Sequence, residues 1–99
     1  RFEFDPEKAA ENLRKHKVSL ADSFGVFSDV FASHVEDPDA SEEQRFLAVG
    51  MGSAGQVLVV CYTYRGDCIR PISARRASRK ERKQYEAEYD FSKGKRGAL

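Results

Sequence analysis

The order of periodic segments along these 99 residues predicts an α+β domain: two N-terminal helices, a four-stranded antiparallel sheet and a C-terminal helix. Three observations carry that expectation. Two segments near the start and one near the end open on helix-capping residues and then repeat apolar side chains at helical spacing. Four runs between them alternate or cluster apolar residues over strand-like lengths. The links between those runs are short and rich in Gly, Asp and Ser, as tight turns require. The chain is long enough for one modest core, expected over residues 1–88, with residues 89–99 as a loose basic tail marked by Gly94 and Gly97.

Phe2-Glu3-Phe4 is an aromatic lead-in. Asp5-Pro6 then starts a helix, because Asp accepts from free backbone N–H groups and Pro lacks only a donor that the first turn would leave unused. The helix should reach His16, with Ala9, Ala10 and Leu13 as its buried stripe and Lys8, Asn12, Lys15 and His16 on a polar side. Ser19 and Asp22 are spaced as a variant capping box for a second helix, whose apolar face is Leu20, Phe24 and Phe27, ending near Ser28-Asp29.

Val30–Glu36 reads as the first strand, followed by the acidic loop Asp37–Glu43. Arg45–Met51 and Gln56–Tyr64 are the second and third strands, the latter holding the most apolar run, Leu58–Cys61. After a turn at Arg65-Gly66-Asp67, Cys68–Arg75 is the fourth. Strict alternation puts Cys68, Arg70, Ile72 and Ala74 on one face and Ile69, Pro71, Ser73 and Arg75 on the other. Pro71 cannot donate to a ladder, so this strand belongs at an edge or turns the Pro nitrogen outward. Ser78-x-x-Glu81 is a full capping box for the last helix.

Composition narrows the function. No run is as long as a membrane span and no leader pattern opens the numbered sequence, so a cytoplasmic protein is expected. Cys61 and Cys68 are out of register across the hairpin turn and are expected as free thiols. There is no zinc-type Cys/His spacing, no phosphate-binding glycine loop and no nucleophile-elbow motif, so neither metal nor nucleotide cofactor is expected. The net charge of +1 conceals an asymmetry: residues 1–64 hold 6 Lys/Arg against 11 Asp/Glu, and residues 65–99 hold 11 against 5. One basic face for a polyanion follows from that split.

The arginines carry the functional signal. Arg70 and Arg75 stand in a strand, Arg45 begins another, and Arg76, Arg79, Lys80, Arg82 and Lys83 follow the fourth strand. A guanidinium on a half-buried strand face needs an anion, which is either a carboxylate of the chain or a bound phosphate. Tyr62, Tyr64 and Tyr85 either pack or stack on bases, as in single-stranded RNA recognition.

Taken in order, Phe4-Asp5, Lys8, Asn12, Lys15-His16, Phe27-x-Asp29, Glu43-x-Arg45, Gly50, Arg70-x-Ile72-Ser73-Ala74-Arg75-x-Ala77, Glu81 and Tyr85 resemble the BrnT toxins of bacterial type II toxin–antitoxin pairs. Lys17 departs from the pattern, which has Gly after Lys-His. The resemblance implies a RelE-like ribonuclease fold and a translation-inhibiting endoribonuclease. It also implies a ribbon-helix-helix, BrnA-like antitoxin as partner, with operator DNA reached only through that antitoxin. Metal-independent RNA cleavage needs a base for the 2′-OH, charge stabilisation at phosphorus and an acid for the leaving 5′-oxygen. Arg75 and Arg45 are assigned to the phosphate and Arg70 to its support. His16 is the first acid–base candidate, Lys15 the second, and Tyr85 an orienting or stacking residue. Arg70, Arg76, Arg79, Lys80, Arg82 and Lys83 are the expected RNA-binding cations, on RNA that is free or on the ribosome. His34 is read as structural, and His16 competes with a simpler role as a cation at a helix C-terminus. A non-catalytic antitoxin-binding subunit that tunes operator binding is the alternative; a plain DNA-binding module lacks a helix-turn-helix pattern.

Overall fold

The computed structural model describes the backbone of residues 1–97 and the side chains of residues 1–88. Helix α1 (Pro6–His16), a 3₁₀ turn (Leu20–Asp22) and α2 (Ser23–Ser28) precede strands β1 (Ser33–Glu36), β2 (Phe46–Met51), β3 (Val57–Arg65) and β4 (Cys68–Arg76), and α3 (Arg79–Gly97) closes the order. The strands form one antiparallel sheet in sequence order, β1-β2-β3-β4, each joined to its neighbour. The α+β architecture is therefore the expected one. The backbone of α3 continues to Gly97, through most of the segment expected as a tail, and the side chains from residue 89 onward lie outside the described residues.

Local chemistry sets the boundaries. Asp5 caps α1, its carboxylate accepting from the Glu7 N–H at 2.9 Å, with Pro6 in the first turn. The helix ends on Lys17, which takes a left-handed conformation at φ 58° and donates its N–H to Leu13. Glycine would adopt that conformation with least strain. The expected second helix is split, because Ser19 caps only a 3₁₀ turn and α2 follows it. β1 starts at Ser33 and not at Val30. Residues 29–31 make a turn instead, in which the Asp29 carboxylate accepts the Phe31 N–H at 2.9 Å.

The core fills the space between α1, α2 and one sheet face: Val18, Leu20, Val26, Ala48, Leu58, Val60, Tyr62 and Ala74. Of the stripe expected on α1, Ala9 packs against the core and the other two residues do not. Leu13 is 53% exposed and Ala10 is exposed, whereas Asn12 is buried. Its amide donates to Val18 O (2.9 Å) and Ala74 O (2.8 Å), and its oxygen accepts from Ala74 N (2.9 Å). β4 is an edge strand, and Ala74 turns its two backbone groups outward; Asn12 meets both as a neighbouring strand would. Further along the same edge, Ile69 is paired by the lead-in, through Glu3 N to Ile69 O at 3.0 Å and Ile69 N to Arg1 O at 2.7 Å. Pro71, two residues from Ile69, shares its outward parity, so its missing donor removes no bond to β3.

A bulge corrects the alternation expected in β4. Cys61 faces Ser73 but Tyr62 faces Pro71, so Ile72 is the extra residue. Pro71 thereby joins the buried face beside Tyr62, while Ser73 and Arg75 keep the opposite one. Cys61 and Cys68 are free thiols facing Ser73 and Arg65. Replacing Asn12 with Ala strips partners from three buried backbone groups, and each such loss costs on the order of 1–3 kcal/mol. Asn12→Ala should therefore lose about 3 kcal/mol or more in urea unfolding; a loss below about 1 kcal/mol would show that water replaces the amide.

Candidate functional site

The sheet face turned away from α1 and α2 brings together two of the predicted side chains, Arg75 and His16. Its register stacks Ser33, Val49, Val59 and Arg75 in one row across the four strands, with Val35, Leu47, Cys61 and Ser73 in the next. Together with His16 and Glu81 these residues line a pocket of about 350 Å³. Its floor is aliphatic, with Ser33 at the β1 end and His16, Ser73, Arg75 and Glu81 at the β4 side. His16 reaches it because it lies one turn beyond Asn12, at the end of α1 that is tied to Ala74.

Arg75 is held in a fixed pose. Its Nη1 and Nη2 donate to Glu81 Oε1 and Oε2 at 2.8 and 2.9 Å, and Nη1 also donates to the Arg76 carbonyl at 3.2 Å. Glu81 is at the same time the second half of the capping box: it accepts from Ser78 N at 2.7 Å, and its own N–H donates to Ser78 Oγ at 3.2 Å. The Arg75 guanidinium, followed by the Ser78 N–H, pulls the Glu81 carboxyl down to about 2. Hydrogen bonding to Glu81 raises the Arg75 pKa in turn.

The other expected residues are dispersed. Arg45 is half-buried beside Glu43 (3.8 Å), near enough to Cys61 to draw its thiol pKa down against the burial that pushes it up. From strand rise and spacing, the backbone at Arg45 lies about 16 Å from that at Arg75, four residues along and two strands across. Lys15 is exposed and outside the pocket lining. Arg70 turns to the N-terminal segment, 3.6 Å from both Glu3 and Asp5. Arg76 bonds Gln56 (3.2 Å) and Arg82 approaches Glu86 (3.9 Å). Arg79, Lys80 and Lys83 line a shallow groove on α3. His34 bonds the hydroxyl of Tyr62 through Nδ1 at 2.9 Å, and burial, followed by Tyr64, pushes the Tyr62 phenol up to about 12.

Tyr85 is buried, so its ring has no free face for a base. Its hydroxyl donates to Asp29 Oδ2 at 2.6 Å, and the same oxygen accepts from Met51 N at 2.8 Å. Burial acts to raise the Asp29 pKa, but bonds from Tyr85, Met51 and Phe31 outweigh it and the net shift is downward. This clamp borders a second, larger cavity of about 680 Å³, lined by Val30, Phe31, Met51 and Val57 between α2 and α3. Sequence reasoning treats Ser73 as an ordinary strand serine, and Glu81 as a helix cap and a candidate ion-pair partner of Arg70 or Arg75. Their period-two and capping-box positions relative to Arg75 were the available signals.

A pocket with a fixed guanidinium, an imidazole and a hydroxyl above an aliphatic floor suits an anionic, partly apolar ligand such as a phosphodiester. Comparison with known proteins identifies the family. The family described as "Ribonuclease toxin, BrnT, of type II toxin-antitoxin system" matches residues 4–81. The 1.1 Å crystal structure of the Brucella abortus ribonuclease toxin BrnT is similar to this chain with a TM-score of 0.59 at 26% identity, covering 79% of this chain and 96% of that one. No curated protein matches.

The Glu81 carboxyl titrates lower in the folded chain (about 2) than its ordinary value of 4.5. The pair's contribution to stability is therefore present above pH 4.5 and disappears as pH falls toward 2. Unfolding free energy measured across that window should drop less steeply in Glu81→Gln than in the unaltered chain, whereas equal slopes would mean that the pair forms no preferential bond in the folded state.

Proposed function

The chain belongs to the BrnT family, the ribonuclease toxins of type II toxin–antitoxin systems, and from that premise we propose that it is a metal-independent endoribonuclease whose site is the Arg75 pocket. The observation that carries the reading is the convergence of His16, Ser73 and the immobilised Arg75 on one open sheet face. In this reading the RNA 2′-oxygen attacks phosphorus and the bond to the 5′-oxygen breaks. The 2′-hydroxyl proton leaves to a base, and a proton reaches the departing 5′-oxygen. Arg75 stabilises the charge gathered on the non-bridging oxygens, as a positioned donor does. His16 exchanges the protons, as a positioned imidazole most often does in general acid–base catalysis. Arg45, close to Cys61 of the pocket, is assigned to the phosphate with Arg75. Arg79, Lys80 and Lys83 steer the polyanion, and Tyr85 holds α3 in place.

The partner of such a toxin is an antitoxin, proposed to be a ribbon-helix-helix, BrnA-like protein through which the complex reaches operator DNA in the cytoplasm. The groove between α2 and α3 is its best seat, since Val30 is 88% exposed and Met51 37% exposed beside an apolar cavity. That groove also favours the alternative reading, a non-catalytic antitoxin-binding subunit. Cleavage of naked and ribosome-bound RNA by the purified toxin separates the two: tight antitoxin binding without cleavage in either setting supports the alternative.

Arg75→Ala should reduce the cleavage rate by about 10²–10³-fold. A folded Arg75→Ala protein that cleaves at the original rate would place the site elsewhere. Val30→Asp should weaken antitoxin binding by at least about tenfold, with cleavage by the free toxin unchanged; calorimetric titration with antitoxin checks it, and unchanged affinity removes the groove from the interface.

A further inference from the structure

Arg75 carries five N–H donors. Three are accounted for: one on each of Nη1 and Nη2 to the two Glu81 oxygens, and the second on Nη1 to the Arg76 carbonyl. The remaining two, on Nε and the Nε side of Nη2, have no partner among the described residues. They are adjacent and parallel, so they form a second fork along the side of the guanidinium plane.

We infer that Glu81 is the positioning residue of the site: its carboxylate occupies the end of the Arg75 guanidinium and thereby presents the side fork to two oxygens of a phosphodiester. The inference rests on the Arg75 pocket being the ribonuclease site, and it concerns what makes that pocket competent. A carboxylate beside a phosphate-binding arginine could equally be a competitor that must leave. The geometry argues against competition, since Glu81 and a phosphate can use different edges of one planar group. Glu81 is also fastened from behind. The Ser78 N–H holds one of its oxygens, and its backbone lies in the first turn of α3. Arg75 extends from the end of β4, where an unattached arginine samples many rotamers, and fixing it removes that entropy cost before substrate arrives. The site is thus assembled across the β4–α3 junction, and a shift of α3 would turn the fork away.

Glu81→Gln is the informative variant, because a capping box accepts Gln as well as Glu and the helix start survives. Gln offers one acceptor oxygen and no charge, so it cannot hold both terminal nitrogens. Expected is a fall in kcat of about tenfold or more with KM changed less than about threefold, since a misaligned donor is felt in the transition state. In an Arg75→Ala background the same change should cost nothing further. If Arg75→Ala abolishes cleavage but Glu81→Gln is fully active, or if the two losses multiply, the positioning role is overturned while the site stands. If Arg75→Ala is fully active, the site itself is wrong and the positioning role goes with it. A measurement on the unaltered protein guards against misfolded variants. On titration with a short non-cleavable 2′-deoxy oligonucleotide, the Arg75 Nε–H resonance should move and the Glu81 carboxylate carbon should stay. Release of Glu81 in that titration would make it a competitor and overturn the inference.

Discussion

A single amide fixes where the site can form. Asn12 bonds both outward backbone groups of Ala74 and also the Val18 carbonyl, so it seals part of the β4 edge and pins the far end of α1 in one step. An aspartate there would set oxygen against the Ala74 carbonyl, and an aliphatic side chain would leave the buried edge unpaired. Asn alone among side chains of that length supplies a donor and an acceptor in the spacing of a peptide group. Its consequence for function is positional. His16 lies four residues on, on the same side of α1, and Arg75 and Ser73 flank the residue that Asn12 grips. The edge that a β-protein must cover in any case becomes the hinge line around which the catalytic candidates gather.

The second constraint acts on α3. Over its described side chains that helix is highly charged, and polar anchors hold it there. Glu81 ties its first turn to Arg75, and Tyr85 ties its second to Asp29. Asp29 serves three elements through its carboxylate: it accepts from the Phe31 turn, from Met51 at the end of β2 and from Tyr85. Gly50 beside it leaves the room this requires, because a Cβ there would fall 2.8 Å from the Ala32 Cβ and 3.2 Å from Asp29 Oδ2. The position of α3 over the sheet is consequently set by two carboxylates that also accept backbone N–H groups.

The sequence made the element order legible because caps, turns and periodicity agree along the chain. The Ser78–Glu81 box was readable from spacing, and the left-handed position of Lys17 from the Gly that the resembling family has there. What could not be read was whatever depends on partners distant in sequence. Asn12 was placed on a polar side of α1 because an isolated helix pattern treats an amide as solvent-seeking, and its partner lies 62 residues away. The β4 bulge at Ile72 left no signal in the alternation itself. Arg70 and Arg75 read alike as strand arginines, yet Glu3 and Asp5 draw one to the lead-in while Glu81 leaves the other with donors to spare. Tyr85 was readable as a packing, orienting or stacking residue, but nothing in its surroundings announced Asp29.

These contacts also bear on how a pocket with little net charge could act on a polyanion. Glu81 remains ionised at any pH near neutrality, so the Arg75–Glu81 pair is close to electrically neutral and exerts only a weak field beyond a Debye length of about 8 Å. Attraction over longer distances must come from elsewhere on the surface, and the exposed cations of α3, Arg79, Lys80 and Lys83, are placed for it. At contact the balance reverses. Two directed N–H donors at hydrogen-bond distance still favour phosphate oxygens strongly, and more so as their charge rises during attack. On the proposed reading, capture and chemistry are therefore separable: the α3 cations govern encounter and its salt dependence, and the Arg75 fork governs the rate after binding. A neutralised arginine is then no defect in the site. It gives little attraction to RNA that is merely nearby and most of its stabilisation to the geometry in which the phosphorus is reacting.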